Sequence, residues 1–198
     1  QHLTVIRALQ EMSGAKCTDI HLGAEEIMFI PGKIKRGNYS FDIGTAGSIS
    51  LFLQGVILPS MFARVKVTLT VKGGTCGKWQ ASVEYIKNIL FPQLQRFVDK
   101  IDLKVLKRGY YPKGGGEVSV EIMPRFNQEE SYEALLEDLH LKVSKIKLIE
   151  RNEIIQIKGA VNVSKELGED EVAERIERSI KGSLTDLEVP VNIRNEYV

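Results

Sequence analysis

Cysteine is scarce in this 198-residue sequence, with only Cys17 and Cys76. Two thiols cannot build a disulfide framework, and so few suit a reducing compartment, so a cytoplasmic location is expected. No Cys-x-x-Cys pair, Cys/His cluster or His-Glu-x-x-His motif is present, so no residue stands out as a metal ligand. An excess of charge is missing as well. The formal net charge of +1 excludes a strongly basic nucleic-acid coat and leaves room only for a local basic patch. Long apolar runs are absent too: the longest, around Ile49–Leu58, is broken by Ser50, Gln54 and Gly55 and is too short to cross a bilayer. With no signal-peptide pattern either, no membrane partner is expected. What remains is 43% hydrophobic and 27% charged, enough core for one domain or one and a half.

The chain starts at Gln1 inside an amphipathic helical pattern and stops at Val198 on a β-like run, so it is expected to be a piece of a longer protein. Leu3, Ile6, Leu9 and Met12 share one helical face over 2–13, and Ser13-Gly14 supplies a stop. Two short strands are expected at 16–22 and 26–30, the first carrying His21. A basic turn, Lys33 to Gly37, and a strand through Tyr39, Phe41 and Ile43 follow. Gly44-Thr45-Ala46-Gly47-Ser48 leads into a helix over 48–58, with Ser48 as N-cap. That N-terminus offers free N–H groups to an anion, and plain capping explains the same residues.

The 48–58 helix is apolar nearly all round, which predicts a core position. Gln54 is its one large polar residue. An unpaired buried amide costs about 1–3 kcal/mol, so Gln54 is expected to have a partner. A strand at 65–71 ends at Gly73-Gly74, and a helix over 80–98 contains Pro92, a candidate kink. Farther on, strands are expected at 141–149, 153–163 and 187–193, with a charged helix over 169–181. The succession of helices and strands lacks the regularity of a doubly wound parallel sheet, so the expected class is α+β. The expected domains are 1–149, and 150–198 as a second, smaller unit.

Arg108-Gly109-Tyr110-Tyr111-Pro112-Lys113-Gly114-Gly115-Gly116-Glu117-Val118 is the most informative stretch. Ile101, Leu103 and Val105 precede it and Val118, Val120 and Ile122 follow, each set alternating with period two. Two strands therefore meet at a connection with three consecutive glycines. Ordering three glycines is entropically expensive, so the run implies positive φ or a close approach by something else. Two readings stand side by side: a turn packed against a neighbouring strand, or a phosphate contact flanked by Arg108 and Lys113. Lys33, Lys35, Arg36, Lys78, Lys107, Arg108 and Lys113 are candidates for an RNA-facing surface, with scattered solvated side chains as the alternative.

The pattern Arg-Gly-x-x-Pro-x-Gly-Gly-Gly-x-Val resembles the signature of the RNA 3′-terminal phosphate cyclase family. Gln1-His2-Leu3-Thr4, Phe41 to Ser48, Leu53-Gln54 with Leu58-Pro59, and Gly73-Gly74-Thr75 fall in that family's order and approximate spacing. The resemblance covers most of 1–123. The tail from about 150 resembles the start of the small α/β insert domain of these proteins. It implies repeated units of two helices and a four-stranded sheet, like the C-terminal domain of translation initiation factor 3, with a partial insert domain.

The resemblance further implies an ATP-dependent enzyme acting on an RNA 3′ end, with Mg or Mn expected. An RNA 3′-phosphate becomes a 2′,3′-cyclic phosphate through an adenylylated histidine and an RNA-adenylate. By position, Gln54 and Gln1 correspond to nucleotide-site glutamines, and Arg108, Gly109, Pro112, Gly114, Gly115 and Gly116 are signature residues with possible phosphate contact. The nucleophilic histidine is expected outside this chain: His2, His21 and His140 match none of its motif. An N-terminal active-site segment is expected to be missing as well, leaving the fragment inactive alone. After Gly73-Gly74-Thr75 the enzymes usually carry an acidic residue and a Ser/Ala-Pro-Pro stretch, where this chain has Cys76 to Ser82. That departure points toward the non-catalytic cyclase-like branch, which works in ribosome assembly.

Overall fold

The computed structural model describes residues 2–18, 20–126, 131–150 and 152–198. The chain divides into two compact units, 1–145 and 146–198. In the first, α1 (His2–Ser13) buries Ala8 and Met12 and is followed by Gly14 at φ +68, a left-handed stop. Strands β1 (Lys16–Thr18) and β2 (Met28–Ile30) form a short antiparallel pair. The first expected strand stops at Thr18, so His21 lies in a bend and not in a strand.

The centre of this unit is a β-α-β-α-β-β succession: β3 (Gly37–Asp42), α2 (Ile49–Met61), β4 (Val67–Gly73), a helical segment over 83–97, β5 (Val98–Lys107) and β6 (Gly116–Pro124). The strands form one sheet in the order β3-β4-β6-β5, with β3 and β4 parallel and the other pairs antiparallel. Mixed strand directions with helices gathered on one sheet place the fold in the α+β class. Val67, Leu69 and Val71 of β4 and Val118, Val120 and Ile122 of β6 are buried under Phe52, Leu53 and Val56 of α2. Their alternates, Thr68, Thr70, Ser119 and Glu121, lie on the opposite, more open face, the period-two pattern of a half-buried sheet. On that face side-chain hydrogen bonds from Lys100 and Lys66 hold the Glu121 carboxyl down to about 2. A carboxyl depressed in this way adds stability above its unfolded value, lost as pH falls toward 2.

The helical segment over 83–97 is irregular for a local reason. Pro92 has no N–H to give, and the ladder widens before it: α3 (Val83–Tyr85) passes into a π-helical turn, Ile86–Leu90, where the Phe91 N–H bonds the Ile86 carbonyl. The α-helical turn α4 (Phe91–Leu94) then takes the proline as its second residue, where no N–H is required.

One sequence expectation fails outright. The strand expected at 141–149 is absent; the chain forms α5 (Tyr132–Lys142), and 143–150 have no regular secondary structure. Ser131 caps α5 by accepting the Ala134 N–H, Glu133 occupies its first turn, and Lys142 pairs with Asp138 one turn earlier.

The second unit pairs β7 (Ile157–Val163) with β8 (Val191–Tyr197) in parallel, joined by α6 (Val172–Ser183). Val161, Val163 and Ala173 form its small core. The two strands lie inside or beyond the stretches expected at 153–163 and 187–193, each displaced toward the C-terminus.

Candidate functional site

The strand register brings three separated glycine segments to one end of the sheet. β3 and β4 finish there at Asp42 and Gly73, and β6 begins there at Gly116, directly opposite Gly73. From this end Gly44–Ser48 runs into α2, Gly73–Thr75 toward α3, and Arg108–Gly116 joins β5 to β6.

These segments interlock through main chain. The Gly74 N–H donates to the Gly47 carbonyl (2.7 Å), and the Ile49 N–H donates to the Gly74 carbonyl (3.1 Å). Thr75 bonds Gly109 three ways: its N–H (2.8 Å) and hydroxyl (3.1 Å) donate to the Gly109 carbonyl, and its Oγ1 accepts the Gly109 N–H (3.2 Å). Such contacts leave no room for side chains. A Cβ on Gly109 would stand 2.0 Å from the Gly116 nitrogen, and one on Gly114 would stand 1.8 Å from the Thr45 carbonyl oxygen. Gly114 also has φ +67, and its N–H donates to the Tyr110 carbonyl at 2.7 Å. Gly115 has φ +73 but open space around it. Pro112 is exposed at the tip of the turn. The glycine run is thus close-packed against its neighbours, with the Gly109 and Gly114 donors already engaged.

Arg108 faces inward. Its guanidinium pairs with Glu84 at the start of the 83–97 segment, with the two side chains only 13% and 23% exposed. The pair ties that helical segment to the β5–β6 connection. Gly44–Ser48 similarly serves the fold: Ser48 Oγ accepts the Leu51 N–H (3.1 Å) and meets Ser50 Oγ (2.9 Å), while Ser50 donates to the Ala81 carbonyl. With Ile49 and Leu51 satisfied, the capping explanation accounts for this helix start.

Gln54 is not a buried amide. Leu51, Gln54 and Leu58 form an exposed stripe along α2, because the helix buries only the side facing the sheet. The requirement for an internal partner therefore lapses. Gln54 instead stands at an open groove of about 380 Å³ between α2 and the 83–97 segment. Ile57, Leu58 and Met61 line one wall and Tyr85, Ile86 and Leu90 the other. That volume suits a small ligand, and an apolar wall with one amide is the usual composition of such a site. Sequence reading missed Tyr85 and the groove; the signal was the apolar period of 83–94 lying opposite that of α2.

The remaining candidates are scattered. Gln1 lies outside the described residues. His2 and His140 are exposed on α1 and α5, and His21 is exposed with its Nδ1 near the Leu22 carbonyl. The basic residues separate into two groups. Lys33, Lys35 and Arg36 precede β3 and so sit at the sheet end opposite the glycine junction, while Lys78, Lys107 and Lys113 are exposed around it. Among the described residues no group of three or more His, Cys, Asp or Glu side chains is placed to hold a metal ion. No helix is long and apolar enough to cross a membrane, again among the described residues.

A family model described as RNA 3′-terminal phosphate cyclase matches residues 1–173. An RNA 3′-terminal phosphate cyclase of Archaeoglobus fulgidus is 46% identical over 124 residues, 63% of this chain and 38% of that protein. One of Ignicoccus hospitalis is 44% identical over 124 residues, 63% of this chain and 35% of that protein. One of Pyrococcus furiosus is 35% identical over 196 residues, 99% of this chain and 52% of that protein. The chain thus spans about a third to a half of the length of these curated relatives.

Proposed function

This chain belongs to the RNA 3′-terminal phosphate cyclase family, and we propose that the whole protein is an ATP-dependent ligase that closes RNA 3′-phosphates into 2′,3′-cyclic phosphates. The observation that carries the proposal is the match to the Pyrococcus furiosus cyclase, which runs over 99% of this chain without confinement to one motif. In this reading a histidine outside the chain attacks the α-phosphorus of ATP and pyrophosphate leaves. AMP passes to an oxygen of the RNA 3′-phosphate, forming an anhydride. The neighbouring 2′-oxygen then attacks the 3′-phosphorus, its proton passing to a base, and AMP departs. Adenylylation replaces the poor oxide leaving group of the 3′-phosphate by AMP, and histidine is a competent nucleophile for the first transfer.

For this chain's own residues the proposal is narrower. The apolar groove beside Gln54 takes the adenine end of ATP, with the Tyr85 ring on its wall and the Gln54 amide as the polar contact. A divalent ion, Mg or Mn, would accompany the phosphates of ATP, the usual company of Mg²⁺. The signature residues Arg108, Gly109, Pro112 and Gly114 to Gly116 shape the sheet end beside this site. The four-stranded sheet with its helices is read as one copy of a repeated unit resembling the C-terminal domain of translation initiation factor 3, and 146–198 as the start of the insert domain. The cysteines at 17 and 76 are both free thiols, in keeping with RNA processing in the cytoplasm.

One observation favours a second reading. Cys76 to Ser82 lacks the acidic residue and paired prolines usual in the enzymes, as a non-catalytic cyclase-like factor that binds RNA or assembly partners would. Incubating the full-length protein with α-labelled ATP and Mg²⁺ or Mn²⁺ separates the two. The enzyme yields an acid-labile protein–AMP adduct; a factor yields none. Gln54→Ala is expected to weaken ATP binding about 3- to 10-fold, the value of one hydrogen bond, by calorimetry. Unchanged affinity in a folded variant would return Gln54 to the surface of α2.

A further inference from the structure

Two aromatic rings are left in solvent beside the glycine junction. Trp79, the only tryptophan of the chain, is 87% exposed, and Tyr111 is 84% exposed. Neither ring contributes to the core, whereas Phe52 and Phe91 are buried in it. A single exposed apolar side chain is ordinary, but two large rings on neighbouring loops are not.

The loops share one root. Trp79 lies in the turn closed by the Gly77–Gln80 bridge, four residues past Thr75. Tyr111 lies in the turn closed by the Tyr110–Gly114 bridge, two residues past Gly109. Thr75 and Gly109 are joined by the three hydrogen bonds described above. An extended chain covers at most about 3.5 Å per residue, so the two Cα atoms lie within about 25 Å of each other.

The charge around them has one sign. Lys78 Nζ stands 5.2 Å from the Trp79 ring centroid, and Lys107 at the end of β5 and Lys113 on the adjoining turn are exposed. Neither 74–83 nor 107–116 contains an aspartate or glutamate. The acidic groups that border them are engaged: Glu84 with Arg108, Glu117 near Lys72, and Asp42 accepting the Gly44 N–H. Flat exposed rings interleaved with lysines and free of carboxylates match what single-stranded nucleic acid requires, since bases stack on the rings and phosphates meet the cations.

We propose that Trp79 and Tyr111, with Lys78 and Lys113, form a stacking platform for single-stranded RNA, holding nucleotides upstream of the 3′ end that the enzyme acts on. This rests on the RNA-cyclase reading above and names where that substrate docks.

The test uses the full-length protein, a 5′-fluorescein oligoribonucleotide of about a dozen nucleotides bearing a 3′-phosphate, and anisotropy titrations at two salt concentrations. Trp79→Ala and Tyr111→Ala are expected to weaken binding about tenfold each, the value of one lost base stack. Trp79→Phe and Tyr111→Phe keep a ring and stay within about threefold of wild type. Lys113→Gln lowers the salt slope by about one. Both rings are solvent-exposed, so the alanine variants retain the wild-type melting temperature. If wild type binds and cyclises the RNA and the alanine variants bind within twofold of it, the platform is overturned while the cyclase reading stands, leaving the rings to a protein partner. If wild type neither binds nor cyclises the RNA, both proposals fall.

Discussion

Gly114→Ala is expected to lower the stability of the first unit by about 4 kcal/mol or more, while Gly115→Ala one residue later costs about 1–2 kcal/mol. The two glycines have nearly the same positive φ, +67 and +73, so each alanine meets the same left-handed strain. They differ in what surrounds them. The Gly114 Cβ would lie 1.8 Å from the Thr45 carbonyl oxygen and 2.8 Å from the Ala46 nitrogen, whereas the Gly115 Cβ meets nothing within 4 Å. The obstructing atoms are main chain, so relief requires parting the Gly44–Ser48 and Arg108–Gly116 segments and straining the Gly73–Thr75 contacts beside them. At roughly 2–4 °C per kcal/mol for a chain of this size, Gly114→Ala should melt at least 8 °C below wild type and Gly115→Ala only a few degrees below. Equal melting temperatures would contradict the close-packed junction and leave the run as a plain flexible turn.

The second large effect concerns Arg108 and Glu84. Either partner replaced alone leaves a charge with little access to water, and for fully buried pairs that costs about 3–5 kcal/mol. The side chains here retain 13% and 23% exposure, which reduces the expectation to about 2–3 kcal/mol for Glu84→Ala or Arg108→Ala in urea unfolding. Glu84→Gln combined with Arg108→Met removes both charges and should lose clearly less than the sum of the single changes. Strict additivity would mean the two side chains do not act as a pair. The pair has a consequence beyond stability, because Glu84 is followed by Tyr85 on the wall of the Gln54 groove. Detaching α3 from the β5–β6 turn loosens that wall.

The parts of the fold legible in the sequence are those where one period dominates. Val67-Leu69-Val71 and Val118-Val120-Ile122 alternate because one face of the sheet is buried, and they pair as expected of strands. The segment around Leu139 was misleading: Leu141, Val143 and Ile146 nearly alternate, and that favours a strand. The Ser131 cap and the Asp138–Lys142 pair, local interactions outside that alternation, favour the helix that forms. Gln54 was misjudged for a related reason. A helix with apolar residues on every side reads as fully buried, yet α2 has a sheet beneath it and leaves Leu51 and Leu58 exposed. Composition records how apolar a helix is, and only packing decides which sides are covered.

The glycine signature shows the same limit at the site. Its dispersed partners, Phe41 to Ser48 and Gly73-Gly74-Thr75, were enough to indicate the family that the comparisons show. Its sequence did not reveal which glycine yields to a neighbour and which to its own φ. That distinction depends on Thr45, Thr75 and Gly116, residues far apart in the chain that the sheet register brings together. Arg108, one of the two candidate phosphate-flanking cations of the sequence, pairs with Glu84, a contact that no local pattern announces.

The most direct test of the proposed activity is chemical. The full-length protein is incubated with ATP, a divalent metal and an oligoribonucleotide whose terminal 3′-phosphate carries the label, and the product is then treated with phosphomonoesterase. The account predicts ATP-dependent conversion of the label to a phosphatase-resistant form, released again after mild acid opens the cyclic diester. Label that stays fully phosphatase-sensitive in the presence of ATP would contradict it.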